Sequence, residues 1–84
     1  MPALPMHKIL SELEGYLSSV SGNVSTITVK VLDTNGKIAK RLSTDVSVGV
    51  QLLKSKMVDL SNGTYVLNAF NGDVFLKAIK FIKA

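Results

Sequence analysis

Val24-Ser-Thr-Ile-Thr-Val-Lys-Val-Leu-Asp-Thr-Asn-Gly36 is the stretch that decides the fold. Ser25, Ile27, Val29 and Val31 alternate with Thr26, Thr28 and Lys30. One side is mostly apolar and the other polar, the pattern of a half-buried strand. Asp33-Thr-Asn-Gly36 follows, and Asn35-Gly36 supplies two residues that tolerate positive φ, so the chain is expected to reverse in a tight hairpin. The return strand, Lys37 to Leu42, then carries Ile38, Lys40 and Leu42 on one side.

The same grammar continues outward. Val46, Val48, Val50 and Leu52 form an alternating set, with Gly49 read as a bulge or close-packing point. Lys54 to Leu60 carries Met57, Val58 and Leu60. Ser61-Asn62-Gly63 is a turn into Thr64–Phe70, and Asn71-Gly72 is a turn into a last hairpin strand within Asp73–Ala84. Asn-Gly pairs between β-rich runs at short spacing predict an all-β sandwich or barrel.

The two ends are ambiguous. Ile9, Leu10, Leu13, Tyr16, Leu17 and Val20 fit helical spacing, with Glu12 and Glu14 on the polar side. Read as a strand, Ile9, Leu13 and Leu17 also share a face, and Gly15 costs a helix about 1 kcal/mol relative to alanine. Strand and short helix both stay open for this segment. At the other end, Lys77, Lys80 and Lys83 fall three apart, while Phe75, Ile79 and Phe81 alternate with Val74, Leu76, Ala78 and Ile82. A strand apolar on both faces is central or covered. Its lysines then stand at its ends or discourage strand addition at an edge.

Composition bounds the function. The 84 residues allow one domain, and 46% hydrophobic content with 19% charged residues excludes a disordered tail. There is no cysteine, hence no disulfide, thiolate metal site or cysteine nucleophile. No run approaches the ~20 apolar residues of a membrane span, and no signal-peptide pattern opens the chain. The net charge of +4 permits an acidic partner without demanding one.

Asp33 and Gly36 read first as turn residues. Gly63 and Tyr65 read as a corner, with the tyrosine hydroxyl bonded back to the main chain. Asp33, Asp45, Asp59 and Asp73 lie near expected turns without the spacing of a calcium loop. His7 has no neighbouring ligand residue, so neither metal nor cofactor is expected. Asn23-Val-Ser25 and Asn62-Gly-Thr64 match the glycosylation triplet, which is short enough to arise by chance. A nucleic-acid role wants exposed aromatics interleaved with cations, and the five aromatics are mostly assigned to the core, so no nucleic-acid partner is expected. Neither the carboxylates nor Ser/His/Asp have catalytic spacing, so the chain reads as a non-enzyme.

From about Val24 to Ala84 the chain resembles the C-terminal sorting domain (type A) of cargo proteins exported by the type IX secretion system of Bacteroidota. Val29-Lys-Val-Leu-Asp33-Thr-Asn-Gly36-Lys37 is similar to the family's v-x-v-y-D-x-x-G-k segment, and Leu60-Ser-Asn-Gly63-Thr-Tyr65-Val66 to its L-x-x-G-x-Y segment. Phe75-Leu-Lys77-Ala-Ile-Lys80-Phe-Ile-Lys83 is similar to its lysine-bearing final strand. The opening departs from the pattern, with Leu4-Pro5-Met6 in place of an aromatic residue and Pro-Asn-Pro.

The resemblance implies an immunoglobulin-like antiparallel β-sandwich of about seven strands over residues 23–84. Residues 1–22 would be a divergent first strand, a linker or an added segment. It implies the end of a longer secreted or cell-surface protein, a non-catalytic signal that passes the periplasm and outer membrane. Its partners would be the translocon, shuttle and sortase-like components, with Lys77, Lys80 and Lys83 as a basic recognition surface. The competing expectations are an adhesive or ligand-binding β-sandwich module, or an oligomerisation module pairing through an edge strand.

Overall fold

A computed structural model describes residues 3–20 and 25–84. In chain order these form β1 (Leu4–Pro5), α1 (Met6–Val20), β2 (Thr26–Leu32), β3 (Ile38–Asp45), α2 (Val46–Lys56), β4 (Gly63–Asn71) and β5 (Val74–Lys83). The strands make one mixed sheet in the order β1-β5-β4-β2-β3. β1 runs parallel to β5 and every other neighbouring pair is antiparallel. After β1 the chain consists of two successive helix–hairpin units, joined where β2 meets β4 at the middle of the sheet.

Sheet parity determines where the core lies. Ile27, Val29 and Val31 of β2, Leu42 of β3, Tyr65, Leu67 and Ala69 of β4, and Ile79 and Phe81 of β5 are all buried and share one face through the strand registers. Two helical stripes cover that face. α1 contributes Ile9, Leu13 and Leu17, and α2 contributes Gly49 and Leu53, with Met57 just beyond its end. Both sets repeat every four residues, as one face of a helix does. Full burial of one such side chain contributes roughly 1.5–3 kcal/mol. α1 packs along β5 and β1, whereas α2 packs along β3 and β2.

The chain is β-rich, as its sequence predicts, but the seven-strand sandwich is not the observed architecture. Instead of a second sheet, the second layer consists of two helices. The decisive segment is the alternating set from Val46 to Leu52, expected to be a strand and found within α2, which runs on to Lys56. Its alternating valines conceal a different spacing, in which Val46, Gly49, Val50, Leu53 and Met57 stand at i, i+3, i+4, i+7 and i+11, one face of a helix. Val48 and Leu52 are left 47% and 40% exposed. Lys54 and Lys56 occupy the last turn, where cations interact favourably with the helix dipole. Met57 N–H closes the helix by donating to the Leu53 carbonyl at 3.0 Å. The ambiguous first segment is α1, and it shares the core with the strands.

The hairpins form where expected, with local differences. Asp33 Oδ1 accepts from the N–H groups of Asn35 (2.9 Å) and Lys37 (3.0 Å), and Gly36 N–H donates to the Asp33 carbonyl at 3.0 Å. Only Gly36, at φ +80°, takes the left-handed conformation there, because the aspartate side chain holds the rest of the turn. A register shift between Val31 and Leu32 then places Ile38 opposite Leu32, on the uncovered face rather than beside Lys40 and Leu42. In the last hairpin, Gly72 at φ +61° opens the two-residue loop between Asn71 and Val74.

Gly15 lies in α1, and nothing stands within 4 Å of where its Cβ would be. Gly15→Ala is therefore expected to raise stability by about 1 kcal/mol in urea unfolding. Leu13→Ala, two residues away and on the buried stripe, is expected to lose about 2–5 kcal/mol in the same assay.

Candidate functional site

The three lysines of β5 are divided between its two faces. Lys83 turns inward, and its Nζ donates to the carbonyls of Met57 (3.1 Å), Val58 and Leu60 (2.6 Å). These carbonyls belong to the segment that follows α2, so the ammonium satisfies main-chain acceptors that no helix or strand ladder pairs. Lys77 also lies on the helix side. Its Nζ stands 5.3 Å from the centroid of the Tyr16 ring and 3.9 Å from Glu12 Oε1. The Tyr16 hydroxyl donates to the Leu76 carbonyl at 3.3 Å, which ties α1 to β5. Lys80 points to the opposite, uncovered face. The expected basic surface of Lys77, Lys80 and Lys83 is thus not one surface: two members hold the fold and one faces outward.

The corner residues behave as their chemistry suggests. The Tyr65 hydroxyl donates to the Ser61 carbonyl at 2.7 Å. The Tyr65 ring is buried and stacks on Phe81 at a centroid distance of 5.5 Å. Leu60 is buried beneath the same corner, while Gly63 begins β4. Lys37 contributes its backbone to the Asp33 turn.

A groove of about 460 Å³ opens at this end of the sheet. It lies between the Asp33–Gly36 turn and the strands β4 and β5, and its lining includes Leu32, Asp33, Gly36, Tyr65, Val66 and Lys80. Asp33, Gly36, Tyr65 and Lys80 come from three separate motif segments of the sequence. A second, larger cleft of about 610 Å³ lies beside the start of α2, with Glu14, Ser18, Ser25, Asp45 and Ser47 in its wall. It offers carboxylates and hydroxyls, while the histidine, His7, is exposed and is not among the residues lining it. Asn23 falls outside the described residues. Among the described residues, no group of three or more His, Asp or Glu is placed to hold a metal.

The uncovered face carries more than parity alone revealed. Across the four long strands its rungs read Ile38–Leu32–Val66–Lys80, then Arg41–Lys30–Asn68–Ala78, then Ser43–Thr28–Phe70–Phe75. A register shift between Ala69 and Phe70 brings Phe75 opposite Phe70, away from the core. The two rings meet edge to face at 5.7 Å, and Lys30 Nζ lies 5.0 Å from the Phe70 centroid. Two of the five aromatic residues are therefore surface groups, which the assignment of most aromatics to the core missed. Alternation from Tyr65, Leu67 and Ala69 places Phe70 outward, but it could not find Phe75, since a shift of one residue inverts a side chain's face.

No family model matches the chain, and neither the curated proteins nor the solved structures contain a match to it.

Two outcomes test the site's internal contacts. Lys83→Met, which keeps the stem but removes three donated bonds, is expected to cost about 1–3 kcal/mol, and Tyr65→Phe about 0.5–1.5 kcal/mol, in chemical unfolding. On the far side of α2, Lys40 Nζ lies 2.6 Å from Asp59 Oδ1. The hydrogen bond and charge of Lys40 hold the Asp59 carboxyl below its ordinary value. A lowered folded pKa gives a contribution present above the unfolded pKa and lost as pH falls through the folded one. NMR titration is expected to show Asp59 protonating at lower pH than a free aspartate, with Lys40→Met moving it back upward. Because Asp59 is exposed, little change in overall stability should accompany the shift.

Proposed function

We propose that the chain is a non-catalytic recognition domain, and that it acts as an address for export of a cargo protein through the type IX secretion system. The reading is carried by one observation. Segments far apart in the sequence, each similar to a piece of the sorting-domain pattern, meet around one groove, where Asp33, Gly36, Tyr65 and Lys80 line a shared surface. Turn residues alone need not converge. Here a rigid corner (Tyr65 bonded to Ser61) and a side-chain-locked turn (Asp33) hold both walls, so a receptor would meet them with little ordering cost.

In this reading the type IX translocon and shuttle are the partners, a sortase-like peptidase removes the domain in some cargoes, and the cargo reaches the cell surface or the medium. The immunoglobulin-like sandwich is not needed, because recognition requires only that the motifs share a surface. Lys80 is the member of the lysine set available to the receptor, whereas Lys77 and Lys83 maintain the strand that presents it.

The test is fusion of the 84-residue chain to the C-terminus of a foreign periplasmic reporter in a Bacteroidota host. The reporter is expected outside the cell, and Asp33→Ala combined with Lys80→Ala is expected to reduce export at least tenfold while the fusion remains folded. A reporter retained in the periplasm with the unaltered chain attached would sink the export reading. Micromolar binding to a glycan or protein surface in that event would favour an accessory adhesive module.

A further inference from the structure

Among the described residues, two helices cover one side of the sheet and none packs on the other. That uncovered side has a definite chemistry. Lys30 and Arg41 share its middle rung, Lys80 and Ile38 stand on the rung beside it, and the registers place Phe75 and Ile82 toward opposite ends. Ile38, Phe75 and Ile82 are 53%, 55% and 44% exposed. One carboxylate stands among the paired residues of this face, Asp45 opposite Thr26 at the strand end where α2 begins, and Asp33 is engaged by its own turn. The remaining cations of the described residues lie at the hairpin turn, on the helices or on the helix side of the sheet.

We propose that this face lies on an anionic lipid surface, with Lys30, Arg41 and Lys80 against headgroup phosphates and Phe75, Ile82 and Ile38 entering the boundary between headgroups and acyl chains. Attraction to anionic lipid together with buried apolar area is the combination that holds a peripheral domain on a bilayer. The apolar groups flank the cations on a broad face, which suits a planar partner. A second copy stacked face to face would oppose three cations with three cations. A single-stranded nucleic acid would want successive open rings, yet the Phe70 ring already carries Lys30 and meets Phe75. The inference does not rest on the export reading.

The experiment is co-sedimentation of the full chain with phosphatidylcholine vesicles and with vesicles containing about two-fifths phosphatidylglycerol, at low and at high salt. Binding is expected to the anionic vesicles, at least tenfold weaker to the zwitterionic ones, and lost at high salt. Lys30→Gln with Arg41→Gln is expected to weaken binding more than tenfold, at about fivefold per charge. Phe75→Ser is expected to weaken it while leaving the salt dependence unchanged. Lys54→Gln with Lys56→Gln, two exposed cations of α2, serves as the charge-matched control and should change little. Equal binding to both vesicle types, or unchanged binding by the double variant, overturns the proposal. So does tighter binding to an oligothymidylate that excludes vesicles, or a dimer in solution that Phe75→Ser dissolves. None of these substitutions touches a residue lining the groove, and Lys80, which belongs to both the groove and this face, is left unaltered, so failure here leaves the export test standing.

Discussion

The fold depends on pairing one face of a sheet with two helical stripes of matched spacing. Ile9, Leu13 and Leu17 on α1, and Gly49, Leu53 and Met57 along α2, meet a floor formed by Ile27, Val29, Val31, Leu67, Ile79 and Phe81. The floor exists only because the strands stay in register. Loss of one residue of alignment in β4 would move Leu67 and Ala69 to solvent and bring Val66 and Asn68 inward. Gly49 is part of the same constraint. A Cβ there would stand 3.4 Å from Thr44 Cγ2 and 3.6 Å from Ile27 Cγ2, so the residue marks how closely α2 approaches the sheet.

Much of this was legible in the sequence, and the part that was not has identifiable causes. β2, the Asp33 turn, β4 and the last hairpin follow from alternation and turn chemistry, which act over a few residues. The Tyr65 corner was legible for the same reason. α2 was not, since Val46, Val48, Val50 and Leu52 satisfy a strand pattern as well as a helical one, and only the floor beneath Leu53 and Met57 selects the helix. β-branched residues are poor helix formers, so packing prevails over propensity here. The missing sandwich has the same origin: converting that one segment to a helix removes strands from the expected second sheet.

The candidate site shows a similar division. Asp33, Gly36, Tyr65 and Lys80 stand out in the sequence for separate turn, corner and terminal-strand reasons, and the fold brings them to one groove. What spacing could not reveal is the division of labour among the lysines. Residues 77, 80 and 83 look alike along the chain, yet an odd separation in a strand sends neighbours to opposite sides. Lys83 neutralises a cluster of main-chain carbonyls, Lys77 joins α1 to β5, and Lys80 faces outward. Three identical side chains therefore have three separate tasks, and a shared role for them is not a property of this surface.

The crossed arrangement of the helices has a consequence for how the molecule comes into being. α1 belongs to the first helix–hairpin unit but rests on β5 of the second, and α2 rests on β3 of the first. Neither half encloses its own apolar stripe, so neither is a self-sufficient folding module. During ribosomal synthesis, Ile9, Leu13 and Leu17 must wait for Ile79 and Phe81 to emerge before they reach their native neighbours. Closing contacts that span nearly the whole chain slows acquisition of structure and leaves a nascent polypeptide pliant until its last strand is complete.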